Sequence, residues 1–436
     1  MVESYKIFTD PVHGFISVPY DTILGLIRDP VIQRLRRIRQ LGVGYLVFPG
    51  GEHTRFGHAL GAMALMQDVL STLKEKGTPI SPLESKAAQC AALLHDVGHG
   101  PFSHTLETVL IKDFHHEQMS RALIELLAER ASSEALDLTL EIFDGSYDRP
   151  FFHQLVSSQL DMDRLDYLRR DSFYTGVVEG AIGVQRIIRT MRVHPEEGTA
   201  SSRVVIDAKG TYAVESFLIA RRLMYWQVYL HKTVIAGDEL LRSVIRRARH
   251  LLREGDVEVR DSGAPAFLFF LTDDITSGDL WRDDVIEAYT ALDDTDVLYT
   301  LKRWSSCPDR ILADLCARFI NRDFLRIEFV KELPDPNVLE ERRQKVSNWL
   351  LAHGLSTRST VDHDTSYYFK ADVSHHSPYE AVEDSILVLE SDGSVHELSE
   401  TGDTATVGAL RKFESKPYLC YPKAAAPPGP GGVNSR

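Results

Sequence analysis

The sequence predicts a mainly α-helical protein with a smaller α+β region near its C-terminal end. Apolar residues recur at helical spacing over 54–75, a capping box with proline at the first helical position begins another helix at Ser81, and strand-like runs are few. Of the 436 residues, 43% are hydrophobic and 26% are charged. This composition is ordinary for a globular protein and excludes disorder over most of the chain.

The helices can be bounded from their periodicity and their breaking residues. The helix over 54–75 is closed by Gly77, and the helix that begins at Ser81 must end by Gly98. Three further segments have a helical pattern, at 116–131, 153–171 and 211–253.

Strand signals are confined to three short runs. Residues 204–207 are β-branched and predict a strand near a hairpin, and residues 385–389, followed by Asp392-Gly393, predict a strand and a turn. The apolar run 267–271 fits either a strand or the start of a buried helix.

Charge and cysteine content narrow the class of protein. Lys plus Arg total 49 against 63 Asp plus Glu, and the resulting net charge of −14 argues against nucleic acid as a partner. A small anion can still bind where cations cluster locally.

The four scattered cysteines predict a reduced, cytoplasmic protein without a disulfide framework. No apolar window approaches 18 residues and the first six residues resemble no signal peptide, so we expect no membrane association.

Histidine and aspartate are arranged as metal ligands. His95-Asp96 stands where an apolar helix runs into a glycine-rich break, so the backbone can turn both side chains toward one point. A divalent cation accepts an imidazole nitrogen and a carboxylate oxygen together. His58 and Asp163 supply a second pair. Two nitrogens and two oxygens leave one or two positions open for water or substrate, and the metal is left undecided among Mg, Mn, Fe, Ni, Co and Zn.

Short motifs accompany these ligands in order along the chain. They read DPVHG at 10–14, QRLR at 33–36, QLG at 40–42, HTRFGH at 53–58, HDVGHGPFSH at 95–104, HHEQ at 115–118 and DMDRLDY at 161–167. In this combination the chain resembles the HD-domain phosphohydrolase superfamily. More narrowly, it resembles the deoxynucleoside triphosphate (dNTP) triphosphohydrolases of the SAM-and-HD-domain type. The similarity continues to about residue 250 and is weaker at 321–323.

The resemblance implies an all-helical core that hydrolyses dNTP to deoxynucleoside and inorganic triphosphate. Its metal ligands would be His58, His95, Asp96 and Asp163, the nucleophile would be a water activated by that metal, and a second Mg could accompany the substrate triphosphate. Four residues are implied near the reacting phosphate, with Arg55 holding phosphate oxygens and a histidine protonating the leaving 5′-oxygen. They are Arg55, His99, His104 and His116, with His104 the first choice for the acid.

The implied substrate pocket partly follows helical spacing. Asp163, Tyr167 and Asp171 are four residues apart and therefore share one helix face. By resemblance, Tyr167 packs on the nucleoside and could exclude a ribose 2′-hydroxyl, Asp171 approaches the sugar 3′-hydroxyl, and Arg164 replaces a family lysine beside phosphate. Four more residues match the family's pocket, namely Gln40, Arg221, Tyr225 and Tyr229.

The resemblance further implies a homo-oligomer, a tetramer or a dimer, activated by a nucleotide bound between subunits. Four residues match or lie close to that regulatory site, namely Lys6, Gln33, Arg36 and Lys232. Arg28 stands where the family has an acidic residue that reads guanine, which counts against GTP as the activator.

Five regions follow along the chain. They are an N-terminal segment with regulatory and subunit contacts at 1–49, an HD-domain metal core at 50–180, a helical extension completing the nucleotide pocket at 181–323, a small α+β region at 324–423 and a disordered tail at 424–436, rich in Ala, Pro and Gly.

Several alternatives stay open at the level of sequence. HD sites hydrolyse other phosphoesters, so a nucleoside monophosphate, a cyclic nucleotide or a nucleic-acid end could be the substrate, and a non-catalytic nucleotide-sensing scaffold is a further reading. The arginines at 36–39 fit a solvated face or an anion site equally well, whereas those at 246–249 fit a solvated helix face. Asp161 and Asp166 are expected to be helix caps or salt-bridge partners.

Overall fold

The structure is a computed structural model that describes residues 5–19, 21–195, 202–376, 385–400 and 414–426. It confirms the mainly α class, since 61% of the residues are helical and 13% are in strands. The predicted disordered tail lies outside the described residues from 427 onward. At its start, Lys423–Ala425 form a short 3₁₀ turn that follows the last strand.

Nineteen α-helices lie within the described residues. They are α1 (Thr22–Arg28), α2 (Pro30–Gln33), α3 (Arg55–Glu75), α4 (Pro82–Leu94), α5 (His104–Leu110), α6 (His116–Ala131), α7 (Glu134–Phe143), α8 (Phe151–Val156), α9 (Met162–Thr175), α10 (Val184–Thr190), α11 (Thr211–Met224), α12 (Lys232–Arg253), α13 (Val257–Asp261), α14 (Pro265–Thr272), α15 (Asp283–Ala291), α16 (Asp294–Trp304), α17 (Arg310–Ile320), α18 (Pro336–Ala352) and α19 (Val361–Asp364).

The same residues contain nine strands in three small sheets. They are β1 (Tyr5–Asp10), β2 (Gly14–Pro19), β3 (Met191–Pro195), β4 (Ser202–Asp207), β5 (Arg326–Phe329), β6 (Lys370–His376), β7 (Leu387–Leu389), β8 (Val395–Glu397) and β9 (Glu414–Tyr421). The sheet orders are β1-β2, β3-β4-β7-β8 and β5-β9-β6, and only the β4–β7 pair is parallel. Two C-terminal strands therefore extend a hairpin that belongs to the middle of the chain.

Helix α3 lies at the centre of the fold because it is apolar around most of its circumference. Phe56, Leu60 and Met63 join a core that also contains α6, α12, α17 and β9, whereas Met66 and Leu70 join a second core with α8, α10 and α11. Helices α4 and α9 pack directly against α3. The three helices that carry most of the predicted metal ligands are thus neighbours.

Two segments that were predicted as single helices are each divided in the structure, so these two predictions are wrong. The segment 153–171 is divided into α8 and α9, because the Asp161 side chain accepts the Ser158 and Arg164 backbone N–H groups and begins a new helix. The segment 211–253 is divided by a π-helical turn at Tyr225–Tyr229 and by His231, whose side chain caps α12. Periodicity persists across both breaks, so it does not reveal them.

The other predicted elements are confirmed, whereas many of the shorter helices and strands were not individually predicted. The capping box at Ser81, the helix over 116–131, the strand at 204–207 and the strand and turn after 385 are all present. The ambiguous run 267–271 is helical, because Pro265 begins α14 at its first turn. The β1–β2 hairpin was not predicted.

A glycine on α3 tests how closely α3 and α9 must pack. A Cβ added to Gly61 would overlap the buried Asp166 carboxylate and the Arg170 guanidinium. We expect Gly61→Ala to lower the free energy of unfolding by about 1–3 kcal/mol, because this pair has no free space into which to shift. Thermal unfolding followed by circular dichroism measures the change.

The matched control is Gly25→Ala on α1, where an added Cβ meets no atom within 4 Å. That variant should unfold at or above the wild-type temperature, since alanine is the better helix former. A wild-type midpoint for Gly61→Ala would contradict the packing described here.

Candidate metal centre and nucleotide pocket

The first two ligands depend on where helices begin and end. His58 lies one turn into α3 and is fully buried. His95 is the C-cap of α4, and its Nδ1 donates to the carbonyl of Ala92 at 2.8 Å, which leaves Nε2 facing the site. Asp96 follows directly in the turn. The expected convergence of the adjacent His and Asp on one point is therefore observed.

The turn after α4 is shaped by two close approaches. Gly98 packs against the backbone of His116 and Ser120 on α6, where a Cβ would overlap the main chain. Phe102 and Ser103 both adopt left-handed backbone angles, with φ of 53° and 49°. Such angles are strained for residues with side chains. The fully buried Arg34 donates two hydrogen bonds to the carbonyl of His99 and so stabilises this turn.

Four predicted ligands meet in space although they span more than 100 residues of sequence. His58 Nε2 lies 3.2 Å from His95 Nε2 and 3.0 Å from Asp163 Oδ1. His95 Nε2 lies 3.4 Å from the same Asp163 oxygen and 3.5 Å from Asp96 Oδ1. The second Asp96 oxygen is 3.7 Å from His58 Nε2.

These separations fit a bound divalent cation. Ligand atoms about 2.1 Å from a shared ion lie roughly 3.0 Å apart at a right angle and about 3.4 Å apart at the tetrahedral angle. Two imidazole nitrogens and two carboxylates form a mixed donor set that suits several transition metals. His58, His95, Asp96 and Asp163 would hold the ion.

Burial and mutual contact perturb the ligands strongly. Burial alone would lower the pKa of His58, but its contacts with Asp163 and Asp166 raise it to about 10. Burial opposes ionisation of Asp163, yet His58 and His95 hold its pKa below the usual range. Asp96 behaves likewise, because His95, His99 and Arg55 outweigh its burial and lower its pKa. The carboxylates are therefore ionised, as metal ligation requires.

A second layer of buried charges orients His58. The Asp166 carboxylate accepts from His58 Nδ1 at 2.7 Å, which directs Nε2 into the metal centre. Arg170 donates to both oxygens of Asp166 at 2.8 and 3.0 Å and also to Asp10 at 2.8 Å. His13 Nε2 lies 2.6 Å from Asp166. The expectation that Asp161 and Asp166 pair with nearby arginines is confirmed, since Asp161 pairs with Arg164.

Arg55 joins the metal centre to the strained turn. Its guanidinium contacts Asp96, and it donates to Ser103 Oγ through Nε at 3.0 Å and through Nη2 at 2.8 Å. Arg55 is 3% exposed, so this planar group has a fixed direction. It therefore presents donors at the edge of the metal centre, where an anionic oxygen would lie.

A second group of histidines borders the metal centre. His99 Nε2 lies 3.4 Å from Asp96 Oδ1, and the rings of His99 and His116 stack with centroids 3.7 Å apart. His116 Nδ1 is 3.1 Å from Glu107. Burial, Arg55 and His116 lower the pKa of His99 well below its usual value, so its ring is neutral near pH 7. The side chain of His104 lies outside the described part of the structure.

The far end of the site is aromatic and holds one buried acid. Asp171 accepts from the Tyr229 hydroxyl at 2.7 Å, and its other oxygen lies 2.7 Å from His53 Nε2. The ring of Tyr229 meets those of Tyr167 and Tyr225 edge-on, with centroids 6.1 and 5.2 Å apart. This end combines flat apolar surfaces with a single carboxylate.

One cavity of about 500 Å³ joins the two ends. Twelve sequence-predicted residues line it, namely Gln40, Arg55, Asp96, His99, His116, Asp163, Arg164, Tyr167, Asp171, Arg221, Tyr225 and Tyr229. His58 and His95 lie behind this lining, in contact with Asp163. The four residues of the implied regulatory site, Lys6, Gln33, Arg36 and Lys232, do not line it.

Several functional residues were missed by sequence reasoning. His53, Ser103 and Asp10 contact residues 48–160 positions away. His13 stands in a quoted motif but was given no role, and the four-residue spacing of Asp166 and Arg170 on α9 was the only local signal of the buried pair. The contacts of His53, Ser103 and Asp10 do not follow from helical periodicity.

Comparison with known proteins identifies the family. A model of the HD domain matches residues 55–170, and a model of the HD associated region matches residues 182–261. The crystal structure of a phosphohydrolase from Bacteroides thetaiotaomicron superposes with a TM-score of 0.88 and 41% identity, covering 96% of this chain and 100% of that one. The chain belongs to the HD-domain phosphohydrolase family.

Two further relatives are informative. The uncharacterized protein YwfO of Bacillus subtilis is 35% identical over 96% of this chain and 92% of its own length. The Dictyostelium discoideum homolog of deoxynucleoside triphosphate triphosphohydrolase SAMHD1 is 28% identical over 58% of this chain, which spans 51% of that relative. HD-domain enzymes depend on metal, in agreement with the donor set found here. Within the described residues, no helix is long and apolar enough to span a membrane.

The Asp166 carboxylate provides a test of the metal centre. We expect Asp166→Asn to weaken metal affinity by about 10- to 100-fold, because an amide orients His58 less strongly than a carboxylate. Metal retained after dialysis, measured by mass spectrometry, and competition with a chromogenic chelator report the affinity. Asp137→Asn, an exposed acid on α7, is the matched control and should bind metal as the wild type does. Equal affinity in both variants would show that Asp166 does not support the site.

Proposed function

We propose that this HD-domain protein is a dNTP triphosphohydrolase that releases deoxynucleoside and inorganic triphosphate. One observation carries the proposal: a single cavity has a metal-ligand set and Arg55 at one end and the Asp171–tyrosine group at the other. A nucleotide has the same polarity, with an anionic chain at one end and a flat base and sugar at the other. The name of the Dictyostelium relative supports the same activity.

The cationic residues of the cavity fit a phosphate chain. Arg55, Arg164, Arg221 and Arg242 line it, and a guanidinium binds phosphate oxygens through parallel hydrogen bonds. Arg221 is 7% exposed and donates to Gln159 at 2.9 Å, so its position is set by the protein. These groups would hold the phosphate chain so that its reacting phosphorus is oriented for attack.

In the proposed reaction, water attacks the α-phosphorus and the bond from that phosphorus to the 5′-oxygen breaks. The 5′-oxygen takes a proton, and triphosphate leaves with the oxygen of the attacking water. When bound, a divalent cation supplies Lewis acidity, which lowers the pKa of water and offsets phosphate charge. Arg55 stabilises the charge that develops on phosphate, and His104 remains our choice for the proton donor, with His116 next.

The aromatic end would select the sugar. Asp171 is held by His53 and Tyr229, so its carboxylate has a fixed direction in which to accept from a 3′-hydroxyl. Tyr167 lies one helical turn away on the same face of α9 and lines the same cavity. Its ring would lie against the 2′ side of the sugar, where it would exclude a hydroxyl by bulk. We also propose that the protein acts in the cytoplasm as a homo-oligomer, a tetramer or a dimer.

The principal test separates the products of each dNTP by anion exchange after incubation with Mg, Mn, Fe, Co, Ni or Zn. We expect inorganic triphosphate and deoxynucleoside from the wild type. The double variant His95→Ala/Asp96→Ala should lose metal and turnover while keeping its helical content, because it removes two ligands from one cation. Loss of the fold would instead show that this pair is structural.

The matched control is Asp362→Ala/His363→Ala, an exposed adjacent pair that does not line the cavity. It should retain full turnover. Pyrophosphate or orthophosphate as the first product would overturn the proposed reaction in favour of another phosphohydrolase activity. Binding of dNTP without turnover under every metal would favour a nucleotide-sensing scaffold.

Sugar selection is tested by removing the Tyr167 ring. We expect Tyr167→Ala to lower the ratio of kcat/KM for dATP over ATP by about tenfold, because the space opened admits a 2′-hydroxyl. Steady-state assays of triphosphate release measure the ratio. Tyr212→Ala, which removes a ring that is 69% exposed on α11, is the control and should leave the ratio unchanged. An unchanged ratio in Tyr167→Ala would remove this residue from sugar selection.

A further inference from the structure

A second cavity lies outside the catalytic pocket and is basic. It has a volume of about 920 Å³ and is bordered on one side by the arginines of residues 36–39 and on the other by the last turn of α16. Its five cations are Arg36, Arg37, Arg39, Lys302 and Arg303, against two carboxylates, Glu52 and Asp294. We call this cavity the basic cleft. In a chain whose net charge is −14, such a concentration of cations is unexpected.

Three of these cations have no acidic partner among the residues that the structure describes. Arg39 pairs with Glu52 and Asp294, and Arg37 pairs with Asp293. In contrast, Lys302 and Arg303 form no ion pair with any described residue. Arg36 donates to Gln33 and lies over the Phe56 ring at 3.6 Å, contacts that do not neutralise its charge. The cleft therefore holds positive charge that its own acids do not compensate.

We propose that the basic cleft binds a phosphate chain, supplied either by a nucleoside triphosphate or by free inorganic triphosphate. The sequence alone left 36–39 divided between a solvated face and an anion site. A solvated face would consist of 36–39 alone. Here Lys302 and Arg303 of α16, more than 260 residues later in the sequence, line the same cleft as these arginines. Guanidinium groups and a lysine on facing walls suit the several oxygens of a phosphate chain.

The basic cleft differs from both sites considered so far. It shares no lining residue with the catalytic pocket. The two cavities adjoin where Arg39 of the cleft precedes Gln40 of the pocket and where Thr54 of the cleft precedes Arg55 of the pocket. Of the four residues of the implied regulatory site, only Arg36 borders it. Arg37, Arg39, Lys302 and Arg303 carry no role in the reaction proposed above.

The wall between the two cavities is built on Asp294. Its carboxylate accepts the backbone N–H of Phe102 at 2.9 Å and that of Arg39 at 3.0 Å. Phe102 precedes Ser103, the residue that holds Arg55 in the catalytic pocket. An anion in the cleft would meet Arg39 on one side of Asp294, and the turn that positions Arg55 lies on the other side. Asp294 therefore connects the two cavities, because it hydrogen-bonds to Arg39 of the cleft and to Phe102, the neighbour of Ser103 in the turn.

Equilibrium binding of inorganic triphosphate to the full chain, by isothermal titration calorimetry, tests the proposal. We expect two sites per chain in the wild type. Lys302→Glu/Arg303→Glu should lose one of them, with affinity at the cleft reduced at least tenfold. The matched control Arg130→Glu/Lys331→Glu makes the same change in net charge at exposed positions elsewhere and should keep both sites. Because Lys302 and Arg303 are exposed, thermal melting should show an unchanged fold.

Triphosphate binding by Lys302→Glu/Arg303→Glu that equals the control would overturn the proposal. A separate variant, Arg164→Ala/Arg221→Ala, distinguishes this outcome from failure of the proposed function. It should lose the catalytic-pocket site and keep the cleft site. If the catalytic pocket does not bind triphosphate at all, the cleft site should still be present in every variant except Lys302→Glu/Arg303→Glu. In the Arg164→Ala/Arg221→Ala variant, tighter binding of ATP than of inorganic triphosphate identifies a nucleotide as the ligand of the cleft. Equal binding identifies free inorganic triphosphate.

Discussion

The hydrogen bond from His58 Nδ1 to Asp166 sets the direction of the imidazole around which the metal centre is arranged. It joins α3 to α9, which contribute His58 and Asp163 to the same site. Asp166 is fully buried, so its charge would be costly without compensation. Arg170 supplies that compensation and is itself held by Asp10 in the first strand. The geometry of one ligand thus depends on charge balance across three elements.

Small residues make this buried network possible. Gly57 and Gly61 face Arg170 and Asp166 along one side of α3, and a side chain at Gly61 would enter the space that the ion pair occupies. Gly98 serves a similar purpose where the turn after α4 meets α6. Close approach of the backbones is therefore a condition for placing charged groups where a cation can be held.

The sequence predicted that candidate metal ligands converge, because several of them stand at recognisable local features. His95-Asp96 follows an apolar helix at a glycine-rich break, and Asp163, Tyr167 and Asp171 share a helical face that the structure also shows. These features depend on neighbours within about five residues, which periodicity and capping describe. The mainly α class follows from the same signals.

What the sequence did not predict depends on long-range contacts. The breaks inside 153–171 and 211–253 arise from side-chain caps and a π-helical turn, which leave the apolar pattern nearly intact. The pairing of β7 with β4 and the support of Asp171 by His53 join residues more than 100 positions apart. The significance of 36–39 depended on α16, which no local pattern connects to it.

The wide spacing of the four metal ligands along the chain has a thermodynamic consequence. An unfolded chain does not hold His58, His95, Asp96 and Asp163 together, so a cation would bind the native state almost exclusively. Linkage then makes the folded population increase with free metal concentration, by about 2.7 kcal/mol when the metal is at 100 times its dissociation constant. Supply of the ion would therefore govern how long the protein persists as well as whether it works.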